Sequence, residues 1–430
     1  MRDDRDQEGG QTVAAAGTHA DARAATFRRH VFYIPGFDPF HPRRYRELYR
    51  KQGAAQVAQS GYQLTLRPRR GKGVYGWHVS SSIDGFLAQA DVEVLVWSDI
   101  VKTSMDAGIL ATYAQLARTV AIYIGSGALF RLMRLRQGPV IAALYPVVVL
   151  LAQLVVALAA GWLAWSVVSW LVPGLSGAGQ IAWALPAGLA VWAVLAGFRR
   201  IDNRLMAWYL IHDYAFTARD LGAVPPELTA RMDAFRQRIA AAMASDCDEV
   251  LVIGHSSGAH IGVSVLADLI RGGLADTRPA LSFLTLGHVV PMVSFLPRAH
   301  RLRADLAFLA TTDALTWVDV SAPGDGCAFA LCDPVAVSGV APADKRWPLV
   351  ISAAFTQTLT PATLTSLRRR YFRLHFQYLC AFDALPGQRW DYDYFRITAG
   401  PRSLADHFAG RPPSASRIET PVNRFTSTRT

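Results

Sequence analysis

The chain has 430 residues, and 44 Lys and Arg against 33 Asp and Glu give it a formal net charge of +11. This length allows one large domain with insertions or two domains, and the four cysteines show no metal-ligand spacing, which predicts free thiols and no bound metal. The sequence contains no recognisable nucleic-acid-binding module, so we expect no nucleic-acid partner. A functional interpretation of the positive net charge is attraction to anionic lipid headgroups.

In chain order, strand patterns alternate with helix patterns. Residues 1–26 are polar and are predicted to be disordered, as is the Ser-, Thr- and Pro-rich segment 411–430. Alternation of this kind favours an α/β fold with a mostly parallel sheet flanked by helices. The strands are expected at 30–34, 62–66, 77–79, 91–97, 248–253, 281–286 and 315–320, and the helices at 42–59, 107–135, 202–220, 227–245 and 259–270.

An apolar block interrupts this alternation. Residues 139–198 contain no Asp, Glu, Lys or Arg, and a glycine-rich turn at 173–179 divides them. Each half can supply the ~20 apolar residues that cross a bilayer, so the block predicts a transmembrane helical hairpin with spans at about 146–170 and 180–198. Arginines flank both ends of this block, namely Arg131, Arg134, Arg136, Arg199, Arg200 and Arg204. Because positive charge is enriched on the cytoplasmic side of a membrane, this predicts that both chain termini lie in the cytoplasm.

A serine stands between two glycines where the strand pattern at 248–253 changes to a helix pattern. Gly254, Ser256 and Gly258 give the G-x-S-x-G form of a nucleophile elbow, in which glycines permit a sharp, strained turn that exposes the serine. The N-terminus of the following helix directs N–H groups towards negative charge that develops beside the serine. The pattern predicts that Ser256 is a nucleophile.

A nucleophilic serine needs a base, and the base needs an acid that fixes its tautomer. For an elbow of this type the acid is expected after a later strand. Asp325 follows the strand pattern at 315–320 and is the favoured candidate, with Asp333 as the alternative. Asp319 lies within the strand and is expected to be structural.

Chain order places the base after the acid, and two histidines, His375 and His407, follow Asp325. We favour His375, which lies 50 residues beyond Asp325, and keep His407 as the alternative. Three earlier histidines are excluded as the base by their position in the chain: His255, His260 and His288.

Acyl transfer by a serine also needs two N–H donors for the oxyanion. The N–H of Ser257, directly after the nucleophile, is expected to be one of them. The second donor is expected to be the N–H of Phe37, because Gly36 permits a close approach of the turn that follows the first strand. The alternative is a Pro-Gly turn with no role in chemistry.

With its Gly-His-Ser-Ser-Gly elbow, its Pro-Gly-Phe turn, and Asp325 and His375 in that order, the chain resembles the α/β-hydrolase superfamily, and most closely its bacterial lipase- and esterase-like members. The likeness covers roughly 27–110 and 202–400. It implies a hydrolase domain formed by 27–135 and 199–410, with the hairpin 139–198 inserted. It also implies a Ser256/His375/Asp325 triad and no cofactor. The chain departs from the family in lacking the His-Gly pair common at the oxyanion turn of esterases.

These observations predict a multi-pass protein of the bacterial inner membrane, whose hydrolase domain cleaves an ester or thioester, lipid-derived substrates included, at the cytoplasmic face. The alternative is a catalytically silent α/β-hydrolase scaffold that binds a membrane partner or lipid. A transport or channel role is disfavoured because two spans contain no charged residue. Acyl length, headgroup and oligomeric state are left open.

Overall fold

The computed structural model describes residues 26–69, 75–172, 181–274, 279–368, 370–383 and 392–429, except for the side chains of residues 181 and 182. One eight-stranded sheet runs through the domain in the order β2-β3-β4-β1-β5-β6-β7-β8. Strands β2 to β4 pair antiparallel, and every other neighbouring pair is parallel. The strands are β1 (Phe27–Ile34), β2 (Gln63–Pro68), β3 (Gly76–Ile83), β4 (Phe86–Val94), β5 (Glu249–His255), β6 (Ala280–Leu286), β7 (Thr316–Ser321) and β8 (Leu349–Ser352).

Helices and short helical turns surround the sheet. In the first half of the chain they are α1 (Arg43–Ser60), α2 (Ser98–Met105), α3 (Ile109–Gly125), α4 (Ala128–Leu135), α5 (Gln137–Leu171), α6 (Ile181–Arg200), α7 (Asp202–Leu205), α8 (Ala207–Ala218) and α9 (Pro226–Met243). In the second half they are α10 (Gly258–Arg271), α11 (Val290–Ser294), α12 (His300–Leu309), α13 (Pro334–Val337), α14 (Phe355–Thr358), α15 (Pro361–Leu367), α16 (Tyr371–His375), a 3₁₀ turn (Gln377–Leu379), α17 (Tyr394–Ala399) and α18 (Leu404–His407).

Each face of the sheet is covered by helices. Along β1, Val31 and Tyr33 face one core, while Phe32 and Ile34 face the other, as the two-residue period of a strand requires. Helices α9, α10 and α12 pack on the second face, and α1 and α17 pack on the first. All of β5 is buried, so the central strand carries a continuous apolar run. The predicted α/β fold with a mostly parallel sheet is confirmed.

The strand predictions differ from the structure mainly at the edges. The strand predicted at 91–97 begins earlier, at Phe86, because it pairs with β3 across the tight turn at Asp84 and Gly85. Strand β8 was not predicted. It has four residues, too few for a periodic pattern, and it is recognisable only by its pairing with β7.

The apolar block forms two helices that pack on each other. Helix α5 is 35 residues long and is the one described helix that is long and apolar enough to cross a membrane by itself. Helix α6 lies against it, with Val191 and the Ala187 carbonyl facing Gly161. Helices α2 and α3 meet that criterion only when taken together across a 104° bend. The first predicted span therefore has a matching helix, whereas a two-span hairpin stays a prediction.

The C-terminal segment is ordered, whereas the sequence predicted disorder from 411. The amide of Ile418 donates to the Leu331 carbonyl at 2.7 Å, and the amide of Asp333 donates to the Ile418 carbonyl at 2.9 Å. The side chain of Asn423 donates to the carbonyls of Ser294 and Ser338. These hydrogen bonds hold the segment against the domain, and Ile418 and Val422 pack on its apolar core. The N-terminal segment 1–26 falls outside the described residues except for Thr26.

Candidate active site

Ser256 occupies a strained turn between β5 and α10. Its backbone has φ of 57°, a left-handed conformation that L-residues rarely adopt, and its side chain is partly exposed. A Cβ at position 254 would come within 2.7 Å of the Ala259 Cα, and one at 258 would overlap the Ile34 carbonyl oxygen. Strand, turn and helix thus approach too closely for any residue but glycine, as the sequence predicted for an elbow.

The turn after β1 lies directly beside the serine. Because β1 and β5 are neighbouring parallel strands, their carboxyl ends meet at one edge of the sheet. A Cβ built on Gly36 would lie 3.4 Å from the Ser256 Oγ. Within the described part of the chain, no hydrogen bond occupies the backbone N–H of Phe37 or of Ser257. Both predicted oxyanion donors are therefore available next to Ser256.

Neighbouring polar side chains hold this turn in place. The Asp38 carboxylate accepts hydrogen bonds from the Phe40 amide, at 2.9 Å, and from the Tyr45 hydroxyl. Arg44 forms an ion pair with the same carboxylate at 3.1 Å. The hydroxyl of Tyr209, on α8, donates to the Phe37 carbonyl and so fixes the peptide from the other side.

Asp325 and His375 form a buried pair. The Nδ1 of His375 lies 2.7 Å from the Asp325 Oδ2, and the same oxygen accepts from the Tyr378 hydroxyl at 3.0 Å. The amide of Cys327 donates to Oδ1 at 2.9 Å. Burial acts to raise the pKa of Asp325, but His375 and these hydrogen bonds outweigh it and hold the pKa below its usual value. The carboxylate is therefore ionised, and it orients the imidazole through Nδ1.

The loop after β6 connects this pair to the serine. The Ser256 amide donates to the Leu286 carbonyl at 3.0 Å. The next residue is Gly287, where a Cβ would lie 3.1 Å from the His375 Cε1 and 3.3 Å from the Asp325 Oδ2. The ring of His255, which precedes Ser256, also stacks on the His375 ring with centroids 4.8 Å apart. Ser256 and the His375 imidazole therefore both lie next to the segment of Leu286 and Gly287.

The hydrogen bond between the serine and the imidazole is not formed in this structure. The His375 Nε2 is buried and has no hydrogen-bond partner among the described residues. Catalytic hydrogen bonds are often long in the absence of substrate and shorten when it binds. Asp325 and His375 thus form a hydrogen-bonded pair near the glycine-flanked Ser256, and their roles as acid and base stay a prediction.

The alternative candidates occupy other places. Asp319 is buried within β7 and accepts from the Thr285 hydroxyl at 2.6 Å. Asp333 caps α13 and forms an ion pair with Lys345. His407 lies on α18, whose first residue bonds to Glu249 at the opposite end of β5 from the elbow, so the length of a strand separates it from Ser256.

Sequence reasoning missed three features of the site. It assigned no role to Tyr378, which lies within the aromatic segment around His375, or to Gly287, whose signal was a glycine directly after a strand. It excluded His255 as the base and expected it to pack under the elbow, but it did not predict the contacts with Tyr33 and His375.

Phe37 and Ser257 also form part of the wall of a cavity between α8, α9 and α10. The rest of the lining is largely apolar and includes Trp97, Phe216 and Met232. Asp213 and His260 contribute polar groups to it. Among the described residues, no cluster of three or more His, Cys, Asp or Glu side chains could hold a metal ion.

Comparison with protein-family models, with curated proteins and with solved structures finds no match for this chain.

Proposed function

We propose that this protein is a membrane-anchored serine hydrolase of the α/β-hydrolase superfamily that cleaves a carboxylic ester or thioester. The observation that carries the proposal is the buried pair of Asp325 and His375, 2.7 Å apart, beside a serine held at positive φ in a glycine-flanked turn. An eight-stranded, mostly parallel α/β sheet is compatible with that superfamily.

In the proposed reaction, the Ser256 Oγ attacks the carbonyl carbon of the substrate while the His375 Nε2 takes its proton. The N–H groups of Phe37 and Ser257 stabilise the oxyanion. The C–O or C–S bond then breaks, and the leaving group takes the proton from Nε2. Water, deprotonated by the same nitrogen, hydrolyses the acyl-enzyme and restores the serine.

The position of α5 supports a membrane-derived substrate. Arg136, at the start of this helix, donates to the Pro323 carbonyl at 3.3 Å, and a Cβ on Gly138 would lie 3.5 Å from the Gly326 Cα. Pro323 and Gly326 belong to the loop that carries Asp325. The base of the proposed anchor thus touches the proposed active site, so lipid esters would reach Ser256 at high effective concentration. We place this site at the cytoplasmic face of the inner membrane.

The test is labelling of the detergent-extracted full-length protein with a fluorophosphonate. Ser256→Ala and His375→Ala should abolish labelling, because the probe reacts only with an activated serine. His407→Ala and the exposed Ser245→Ala are the matched controls and should be labelled like wild type. A folded wild-type protein that is not labelled would refute the hydrolase and favour the silent scaffold.

A further inference from the structure

The hydroxyl of Tyr378 is hydrogen-bonded on both sides, next to the candidate acid. The amide of Ala322, the residue after β7, donates to the hydroxyl oxygen at 3.0 Å, and the same oxygen lies 3.0 Å from the Asp325 Oδ2. Because an amide N–H can only donate, it occupies a lone pair of the hydroxyl oxygen and leaves the hydroxyl hydrogen for the carboxylate. The backbone at the end of β7 therefore fixes the direction of the bond from Tyr378 to Asp325.

The surroundings of Tyr378 keep this donor protonated and in place. The side chain is fully buried, and burial together with the neighbouring Asp325 raises the pKa of the hydroxyl far above its usual value. The ring packs on Phe355 with centroids 5.1 Å apart, and the Tyr378 carbonyl accepts from the Tyr392 hydroxyl at 2.6 Å. Tyr378 therefore donates to Asp325 throughout the neutral pH range.

One oxygen of the carboxylate receives both this hydroxyl and the candidate base. The His375 Nδ1 lies 2.7 Å from the Asp325 Oδ2, whereas Oδ1 accepts from the Cys327 amide at 2.9 Å. Among the described residues, Tyr378 is the one side chain besides His375 that donates to this carboxylate. A buried carboxylate is costly to keep charged, and each donor offsets part of that cost.

We propose that Tyr378 is a positioning residue of the hydrolase, whose hydroxyl directs the Asp325 carboxylate at the His375 imidazole and stabilises its negative charge. This inference rests on the proposed hydrolase function and adds a fourth residue to its acid–base pair and serine. Tyr378 acts through Asp325, so its loss should weaken the base without removing it. A merely structural tyrosine would affect stability alone, whereas a positioning tyrosine also changes the pH at which Ser256 becomes reactive.

The pH dependence of labelling distinguishes these two roles. Protonation of the pair of Asp325 and His375 removes the base, so the labelling rate falls at low pH, and the midpoint of this fall belongs to the pair. Burial acts to raise the pKa of Asp325, whereas His375, the Cys327 amide and the Tyr378 hydroxyl lower it. Without the hydroxyl the pair binds a proton more tightly, so the midpoint should move to higher pH.

The other titratable or charged groups around the pair and Tyr378 are present in wild type and variant alike. They are His255 on β5, Asp319 on β7, Cys327 in the loop after β7, Asp213 on α8 and Arg136 at the start of α5. Partial burial raises the pKa of Asp213 to about 7, so this group changes charge in the range of the measurement. Because it does so in both proteins, the difference between their midpoints reports the Tyr378 hydroxyl.

The experiment measures the second-order rate of fluorophosphonate labelling across acidic and neutral pH, with the full-length protein in detergent. Tyr378→Phe keeps the ring and should raise the midpoint by about one pH unit. Tyr49→Phe is the matched control, because it removes another buried hydroxyl of the same core, bonded to Thr398 at 2.9 Å, and it should keep the wild-type midpoint. Replacement of Tyr378 by 3-fluorotyrosine retains the hydroxyl and makes it a stronger donor, so the midpoint should move to lower pH.

Thermal unfolding establishes that each variant is folded where its rate is measured, and the fluorotyrosine protein decides the question if Tyr378→Phe does not fold. A folded Tyr378→Phe with the wild-type midpoint, a midpoint that 3-fluorotyrosine leaves unchanged, or an equal shift in Tyr49→Phe would overturn the positioning role. Labelling that depends on Ser256 would still support the hydrolase in each of these cases. Absence of labelling in folded wild type would overturn the hydrolase function and this inference together.

Discussion

At the scale of single residues, the candidate base is positioned by a second histidine. The His255 Nε2 lies 3.1 Å from the His375 carbonyl oxygen and must donate to it, because a carbonyl can only accept. Its Nδ1 then accepts from the Tyr33 hydroxyl at 3.2 Å. Burial and the neighbouring His375 lower the pKa of His255 to about 3, so it stays neutral and keeps this tautomer. His255 therefore fixes the backbone from which the base projects.

Replacing His255 should misplace the base without removing it. His255→Phe keeps an aromatic ring against His375 but loses both hydrogen bonds, and we expect the rate of fluorophosphonate labelling to fall about tenfold. His255→Gln can still donate to the carbonyl and accept from Tyr33, so most of the rate should remain. Equal rates for His255→Phe and wild type would contradict a positioning role. The measurement is the second-order labelling rate.

At the scale of elements, the loop that leaves β6 determines how closely the acid–base pair approaches the elbow. Gly287 has φ of 51°, and a Cβ there would come within 2.6 Å of the Tyr378 ring. A side chain would therefore push Tyr378 and His375 away from Asp325. Three strands meet at this loop. It follows β6, the Gly287 amide donates to the Val320 carbonyl of β7, and the Leu286 carbonyl just before it accepts from the Ser256 amide in the turn after β5.

A methyl group at this position should separate the acid–base pair. Gly287→Ala is expected to reduce labelling at least tenfold through the contact with Tyr378 and the loss of alignment at His375. Gly273→Ala is the matched control: position 273 also has positive φ, 88°, but a Cβ there meets nothing within 4 Å. It should lose about 1 kcal/mol of stability from the backbone conformation alone and be labelled like wild type. Similar labelling of the two variants would refute the contact argument.

At the scale of the whole molecule, the apolar helices are attached firmly to the α/β domain. The hydroxyl of Tyr113, on α3, donates to the Leu150 carbonyl at 3.0 Å, and the indole of Trp208, on α8, donates to the Gln153 side chain at 3.0 Å. Beyond these contacts α5 exposes large apolar side chains, with Trp162 71% and Trp170 79% exposed. An exposed apolar surface of this extent needs a covering, and a bilayer is the covering that we propose.

The proposed topology places residues 173–179 outside the cytoplasm and all four native cysteines inside it. Ser176→Cys should therefore react with a membrane-impermeant maleimide in intact cells, whereas the wild-type protein should not. After permeabilisation, exposed native thiols become accessible to the reagent. Labelling of wild type in intact cells, or protection of the introduced cysteine, would contradict the two-span topology.

Short-range patterns in the sequence determined the elements and the elbow. Apolar periodicity located seven of the eight strands, and the glycines around Ser256 predicted a turn whose close contacts admit only glycine. Chain order selected Asp325 and His375, which the structure brings to 2.7 Å. Their catalytic role and the second membrane span stay predictions.

Tertiary structure alone decided which groups complete the site. The bonds from Tyr378 to Asp325 and from His255 to His375 join residues 53 and 120 positions apart, and nothing in the local sequence of either partner encodes such a contact. The same holds for the ordered C-terminal segment, which pairs with distant residues through its backbone. The periodicity of apolar residues indicates which face of a helix or strand is buried. Which residues contact that face depends on packing between segments that are distant in the sequence.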